Sequence, residues 1–121
     1  MIQLDFQSRQ PIYEQLVLKL SELILLGALK AEDQLPSVRA LARDLGVNPN
    51  TIQKAYQELE RRKIIYSVAG KGSFISPGEC AGEMIRSRSC QALREAMEDG
   101  KRAGLVRADV DRLAGEIYGE E

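Results

Sequence analysis

The chain has no histidine, no tryptophan, two cysteines, and aromatic residues at only 5% of its 121 positions. Each shortage excludes something. Without histidine there is no Ser-His-Asp or Cys-His nucleophile and no imidazole general base, and most metal chemistry is lost. Cys80 and Cys90 are too few for a disulfide framework or a four-ligand zinc site, so no metal or cofactor is expected. Nothing else in the sequence requires catalysis, and an enzyme is not expected. No apolar run approaches the roughly 18 residues of a membrane span. The longest, Leu23 to Leu26, is one turn of a longer amphipathic pattern. The opening Met1-Ile2-Gln3-Leu4-Asp5 lacks the basic region and apolar core of a signal peptide, so the chain is expected in the cytoplasm and off the membrane.

What is present has the balance of a globular protein, with 44% hydrophobic and 29% charged residues. The net charge of -1 hides an asymmetry. Residues 1–78 carry 10 Lys+Arg against 8 Asp+Glu, a net of +2, and residues 79–121 carry 7 against 10, a net of -3. Phosphate binding depends on one basic face more than on total charge.

The periodicity divides the chain in the same place. Ile2-Gln3-Leu4 alternates, as a short strand or an extended arm would. Pro11 suits a helix start, and Ile12, Leu16, Leu20, Leu23 and Ile24 form one helical stripe that Gly27 ends near Leu26, with Tyr13 just off it. Leu29 to Leu35 reads as a connector. Ser37 is the N-cap of a second helix with Val38, Leu41, Ala42 and Leu45 inside, and Gly46 permits the sharp turn that follows. Asn48 caps a third helix, Pro49 fills its first turn, and Ile52, Ala55, Tyr56 and Leu59 face inward before it frays near Lys63. Residues 64–68 and 73–76 are short strands joined by the glycine-rich turn 69–72, a β-hairpin. Three helices and a hairpin make a winged helix-turn-helix over residues 1–78. Residues 79–121 then predict a two-helix tail: Ala81 to Asp99, with Ile85, Ala92, Leu93, Ala96 and Met97 inside, and Ala108 to Tyr118, with Val110, Leu113, Ala114 and Ile117 inside. Asp109 or a neighbour helps start the second, and Gly100 and Gly104 bracket the turn between them. The fold class is mainly α with a small β-hairpin. Two such helices cannot bury their stripes alone, so they need the winged helix or a second copy of themselves.

A helix in the major groove reads bases from its N-terminal turn. Asparagine can pair with adenine, and threonine offers a hydrogen bond or a methyl contact. Asn48, Asn50, Thr51, Gln53 and Lys54 fall on the outer side of the third helix. Asn48 has capping as its competing role, and Asn50 and Thr51 have plain solvent exposure. Arg39 and Arg43, on the polar face of the second helix, could clamp phosphates, with Ser37 adding a hydroxyl. A surface ion pair, for instance with Asp44, is the other use for Arg39. The wing tip, Gly70 and Lys71, combines a backbone that can approach a narrow groove with a charge to place there, or is an ordinary hairpin turn. Arg61, Arg62 and Lys63 suit a solvated helix end. Cys80 and Cys90 are expected to be unreactive.

These residues resemble the GntR family of bacterial transcriptional regulators. The likeness rests on Pro11-Ile12-Tyr13-Glu14-Gln15-Leu16, on Leu35-Pro36-Ser37-Val38-Arg39 with Leu41-Ala42, on Leu45-Gly46-Val47-Asn48-Pro49-Asn50-Thr51-Ile52, on Ala55-Tyr56 with Leu59, and on Gly70, Gly72 and Phe74. It covers residues 11 to about 76. The short tail is similar to that of the YtrA-type subfamily. The resemblance implies a homodimer, paired through its tail helices, on a palindromic double-stranded DNA operator. It usually acts as a repressor, often of transporter genes. It also implies DNA contacts by Arg39, by Asn48 to Thr51 with Gln53 and Lys54, and by Gly70 and Lys71. Pro49 departs from members that place a polar base reader there, so one contact is absent or moved to Asn50.

The alternative is a winged-helix protein–protein module without DNA function. The polar, cation-flanked face of the third helix argues against it, since an interaction module would present apolar residues there. The tail leaves little room for the cavity of about 300 Å³ or more that a small-molecule effector needs. An effector would then sit between protomers or at the domain junction.

Overall fold

The computed structural model describes residues 2–119. Its elements are α1 (Ile12–Leu25), α2 (Val38–Leu45), α3 (Pro49–Arg61), β1 (Ile65–Val68), β2 (Gly72–Ile75), α4 (Cys80–Arg102) and α5 (Arg107–Tyr118). Contacts gather into two compact units, residues up to Ile85 and residues from Arg86 onward.

The first unit is a winged helix-turn-helix. Pro11, at φ -56°, presets the start of α1. Gly27, at φ +83°, ends it in a Schellman motif: the Ala28 N–H reaches the Leu23 carbonyl at 2.9 Å and the Gly27 N–H reaches Ile24 at 3.1 Å. The Ser37 Oγ accepts the Ala40 N–H at 3.1 Å to open α2. Gly46, at φ +67°, closes α2 while the Val47 N–H returns to the Ala42 carbonyl at 3.0 Å. The Asn48 Oδ1 accepts the Asn50 N–H at 2.8 Å and opens α3. Where fraying was expected, α3 stops with a left-handed residue that is not glycine. Lys63 sits at φ +63°, and the Ile64 N–H closes on the Leu59 carbonyl at 2.9 Å.

The inner faces of these helices meet as the periodicity predicts. Leu16, Ile52, Ala55 and Leu59 are wholly buried, with Leu20, Leu41, Tyr56 and Ile75 closed around them. Full burial of each large aliphatic side chain contributes about 1.5–3 kcal/mol. Ser21 is also buried, and its hydroxyl donates to the Val17 carbonyl at 2.7 Å.

The hairpin pairs antiparallel, with Ile65 opposite Ile75, Tyr66 opposite Phe74, Ser67 opposite Ser73 and Val68 opposite Gly72. The Tyr66 and Phe74 rings stack at 5.7 Å. The segment expected as a plain connector does more. The Glu32 N–H bonds to the Ile75 carbonyl, the Ile75 N–H to Asp33, and the Leu35 N–H to Ser73, all within 2.8–2.9 Å. Residues 32–35 therefore run along the free edge of β2 and cover it.

Residues 2–5 form an extended arm, not a strand, and Ile2 and Leu4 pack against the core. Buried Gln15 holds the arm: its Oε1 accepts the Asp5 N–H at 2.8 Å, and its Nε2 donates to the carbonyls of Asp5 and Gln10, each at 2.9 Å. Helix α4 starts one residue before, and ends three after, the expected Ala81 to Asp99 span. Its first turn belongs to the core of the first unit, with Ala81 buried and Cys80 and Met84 packed beside it.

In the second unit the rest of α4 leads through a short turn into α5. The Leu105 N–H bonds to the Gly100 carbonyl at 2.9 Å, and Gly104 takes φ +100°. The Asp109 carboxylate accepts the Val106 N–H at 2.9 Å, so α5 begins with the carboxylate half of a capping box. The apolar stripes stay open to solvent: Leu93 is 60% exposed, Met97 44%, Leu113 47% and Ile117 78%. An open cavity of about 760 Å³ lies among Cys90, Leu93, Met97, Leu105, Val106 and Val110. This hollow is an open groove along exposed apolar side chains and not an enclosed cavity. The helices join through a short turn and do not pack along their length, so the space beside the turn stays open.

Among the described residues, no helix is long and apolar enough to cross a membrane, and no cluster of acidic or sulfur side chains has the geometry to hold a metal ion.

Candidate nucleic-acid interface

The outer faces of α2 and α3, with the wing, carry the polar residues singled out in the sequence. Asn48, Asn50, Gln53 and Lys54 are exposed, and Thr51 is half-buried. They reach that position because Ile52, Ala55, Tyr56 and Leu59 hold the opposite face of α3 in the core. Asn48 spends its carbonyl oxygen on the cap, which leaves its amide NH2 as the free group. Asn50 and Gln53 make no side-chain hydrogen bonds among the described residues, so all their donors and acceptors are available to base edges.

Arg39 and Arg43 are exposed on α2 and, among the described residues, form no ion pair, with Asp44 or any other carboxylate. Their guanidinium groups stay free to fork onto phosphate oxygens. The Ser37 oxygen is taken by the Ala40 N–H, so this hydroxyl can still donate. Arg61 and Arg62 are occupied differently. Both bond to Glu58, Arg61 Nε at 3.0 Å and Arg62 Nε at 2.7 Å. The hydrogen bonds from Arg61, then from Arg62, hold the Glu58 carboxyl down at about 2. Glu58 thus offsets part of the positive charge at that end of α3.

The hydroxyl of Tyr56 donates to the Pro36 carbonyl at 2.8 Å, tying the core side of α3 to the residue ahead of the Ser37 cap. Burial pushes the Tyr56 phenol up to about 12. At the wing, Gly70 takes φ +76° and Lys71 is exposed. The Lys71 carbonyl accepts from Gln34 Nε2 at 2.8 Å. Tyr66 donates to Glu32, which raises the phenol's pKa. The tip is thus held by side chains from the 32–35 edge.

Three contributors escaped the sequence reading. Gln34 and Glu32 support the wing from a segment with no alternating pattern. Tyr13, known only as lying off the α1 stripe, faces α3, and the Lys54 ammonium lies 4.0 Å from its ring centre. Pairs that join distant segments leave no local periodicity to find.

Comparison with known proteins agrees with this geometry. The sequence profile described as "Bacterial regulatory proteins, gntR family" matches residues 12–75, from the start of α1 to the end of β2. The chain is 53% identical over 76 residues to the HTH-type transcriptional repressor YtrA of Bacillus subtilis, a match covering 63% of this chain and 58% of YtrA. It is 35% identical over 107 residues to the uncharacterized HTH-type transcriptional regulator YhcF of the same organism, covering 88% of each. A solved GntR family transcriptional regulator from Listeria monocytogenes superposes with a TM-score of 0.80 at 32% identity, covering 92% of this chain and 98% of that one. The winged helix, its polar recognition face and these likenesses converge on one conclusion: the chain is a DNA-binding transcriptional regulator and belongs to the gntR family of bacterial regulatory proteins.

Proposed function

We propose that the chain is a cytoplasmic repressor that binds a palindromic operator as a homodimer and controls transporter genes. Residues 1–78 bind DNA, and residues 79–121 pair the protomers. The observation that carries the DNA half is the open polar face of α3, Asn50 and Gln53 above all, flanked by Arg39 and Arg43, which form no ion pair among the described residues. Asn48, Thr51 and Lys54 extend that face, Ser37 adds a donor beside the phosphates, and Gly70 and Lys71 meet the adjacent groove. The exposed Leu93, Met97, Leu113 and Ile117 support the dimer, since a second copy would bury stripes that the single chain leaves wet. A repressor role follows the likeness to YtrA, a transcriptional repressor. Half-sites would lie about one helical turn apart or a multiple of it. A small-molecule effector would bind between the protomers, where the open groove beside Leu93, Met97 and Val110 meets the second copy.

The test is a gel shift of the purified chain on the DNA upstream of its own gene, with random duplex as competitor, run beside light scattering. Selective retardation by a particle of twice the chain mass supports the reading. Equal competition by random duplex removes the operator, and a monomeric mass at the binding concentration removes the dimer.

A further inference from the structure

Lys54 stands apart from its neighbours on α3. Asn50 and Gln53 point into solvent with no partner among the described residues, whereas the Lys54 ammonium sits 4.0 Å above the ring centre of Tyr13, on α1. A cation over an aromatic face is attracted by the ring quadrupole, and Tyr is among the better rings for it. The pair forms one wall of an open cavity of about 400 Å³, completed by Pro11, Ile12, Asn48, Asn50 and Thr51. Among the described residues no carboxylate lines that cavity. The Tyr13 hydroxyl turns toward Glu14, at 3.4 Å, so the ring face and not the hydroxyl is what meets the lysine.

A lysine held in this way reads bases poorly. Its ammonium is a point charge that cannot swing freely to a base edge without leaving the ring. It is well placed for a charge that comes to it, and where the first turn of α3 meets a duplex the charges on offer are the backbone phosphates. We propose that Tyr13 is a positioning residue of the DNA interface. Its ring fixes the Lys54 ammonium beside Asn50 and Thr51, where Lys54 takes a backbone phosphate instead of reading a base. This inference rests on the DNA-binding reading and deepens it. Sequence discrimination on this face then falls to Asn50, Thr51 and Gln53.

Salt dependence tests this directly, because each neutralised phosphate adds about 0.9 to the slope of log affinity against log salt. Binding of the full chain to the DNA upstream of its own gene is measured across a salt series for the wild type, Lys54→Gln, Tyr13→Phe, Tyr13→Leu and the Lys54→Gln/Tyr13→Leu double variant. Lys54→Gln is expected to lower the slope by about 0.9 and leave the order of preference among base-substituted duplexes unchanged. Tyr13→Phe keeps the ring and is expected to bind as the wild type does. Tyr13→Leu is expected to bind about two- to fivefold more weakly, with a loss that disappears once Lys54 is already Gln. An unchanged slope in Lys54→Gln overturns the phosphate assignment, and a changed base preference overturns it equally. A Tyr13→Phe variant as weak as Tyr13→Leu overturns the role of the ring. Should Tyr13→Leu fail to fold, the Lys54→Gln slope and the Tyr13→Phe affinity still decide. Absence of wild-type binding to any duplex would remove the DNA reading itself, whereas wild-type binding with unmoved variants removes this inference alone.

Discussion

The side chain of Gln34 lies against Gly72: a Cβ built on that glycine would stand 2.9 Å from Gln34 Nε2. The same nitrogen donates to the Lys71 carbonyl, so the wing tip is bonded to the 32–35 edge at the one place where β2 has no side chain. Gly72 also holds φ +119°, a conformation that L side chains rarely adopt. The backbone angle demands glycine there, whereas the close approach is to the far end of an exposed side chain that can move aside.

Gly72→Ala should therefore destabilise the fold by about 1–2 kcal/mol. Adding Gln34→Ala should recover only part of this, since it removes the clash and leaves the strained angle. Urea denaturation of the two variants checks the order, and full recovery in the double variant would show that φ is not the obstacle.

Tyr56→Phe removes the hydroxyl that holds the Pro36 carbonyl and should cost about 1 kcal/mol. It should also weaken DNA binding, because Ser37 and Arg39 start from the segment that Tyr56 fixes. The pH dependence has a definite sign. The folded phenol is raised from 10 to about 12, so folding favours its protonated form. That stability is fully present below pH 10 and is lost as pH rises through about 12. Thermal melts between pH 9 and pH 12 should fall more steeply for the wild type than for Tyr56→Phe.

Lys63 holds φ +63° without being glycine. A left-handed L residue costs about 1–2 kcal/mol, and glycine gives back part of any gain through its freer unfolded state. Lys63→Gly should raise stability by about 0.5–1 kcal/mol in denaturant melts. A loss instead would mean that the lysine stem contributes packing worth more than the strain.

Arg39→Ala and Asn50→Ala should fail in different ways. The first should weaken binding to every duplex and lower the salt slope by about 1. The second should leave the slope nearly intact and relax preference at one base position, at about 1–3 kcal/mol of discrimination. Selection of binding sites from a random library reads the second effect, and a salt series reads the first. Identical site preference in Asn50→Ala and the wild type would remove Asn50 from the base readers.

Much of the fold was legible because its signals are local. Steps of three and four marked the three helices, Gly46 marked the turn, and Asn48-Pro49 marked the start of α3 to the residue. The hairpin followed from β-branched alternation around glycines. The pairing of residues 32–35 with β2 was not legible, because its hydrogen bonds are made by backbone from a stretch with no apolar rhythm. Lys63 hid its left-handed angle behind a side chain that signals nothing about φ. The start of α4 was set by the burial of Ala81, a long-range event. At the interface, residue types and their helix face were readable. The division of labour among them was only partly so: the spacing of Glu58 to Arg61 and Arg62 shows in the sequence, whereas the hold of Tyr13 on Lys54 joins two helices and exists only once the chain has folded.

The Gln15 clamp has a consequence for how the molecule breathes. Asp5 belongs to neither helix nor strand and is itself exposed, yet its amide hydrogen is committed to a buried side chain of α1. Exchange with solvent at that amide requires Gln15 to let go, and Gln15 has two further bonds, to the carbonyls of Asp5 and Gln10. In deuterium exchange the Asp5 amide should keep time with α1, while its neighbours Gln3 and Phe6 exchange as an unstructured segment would.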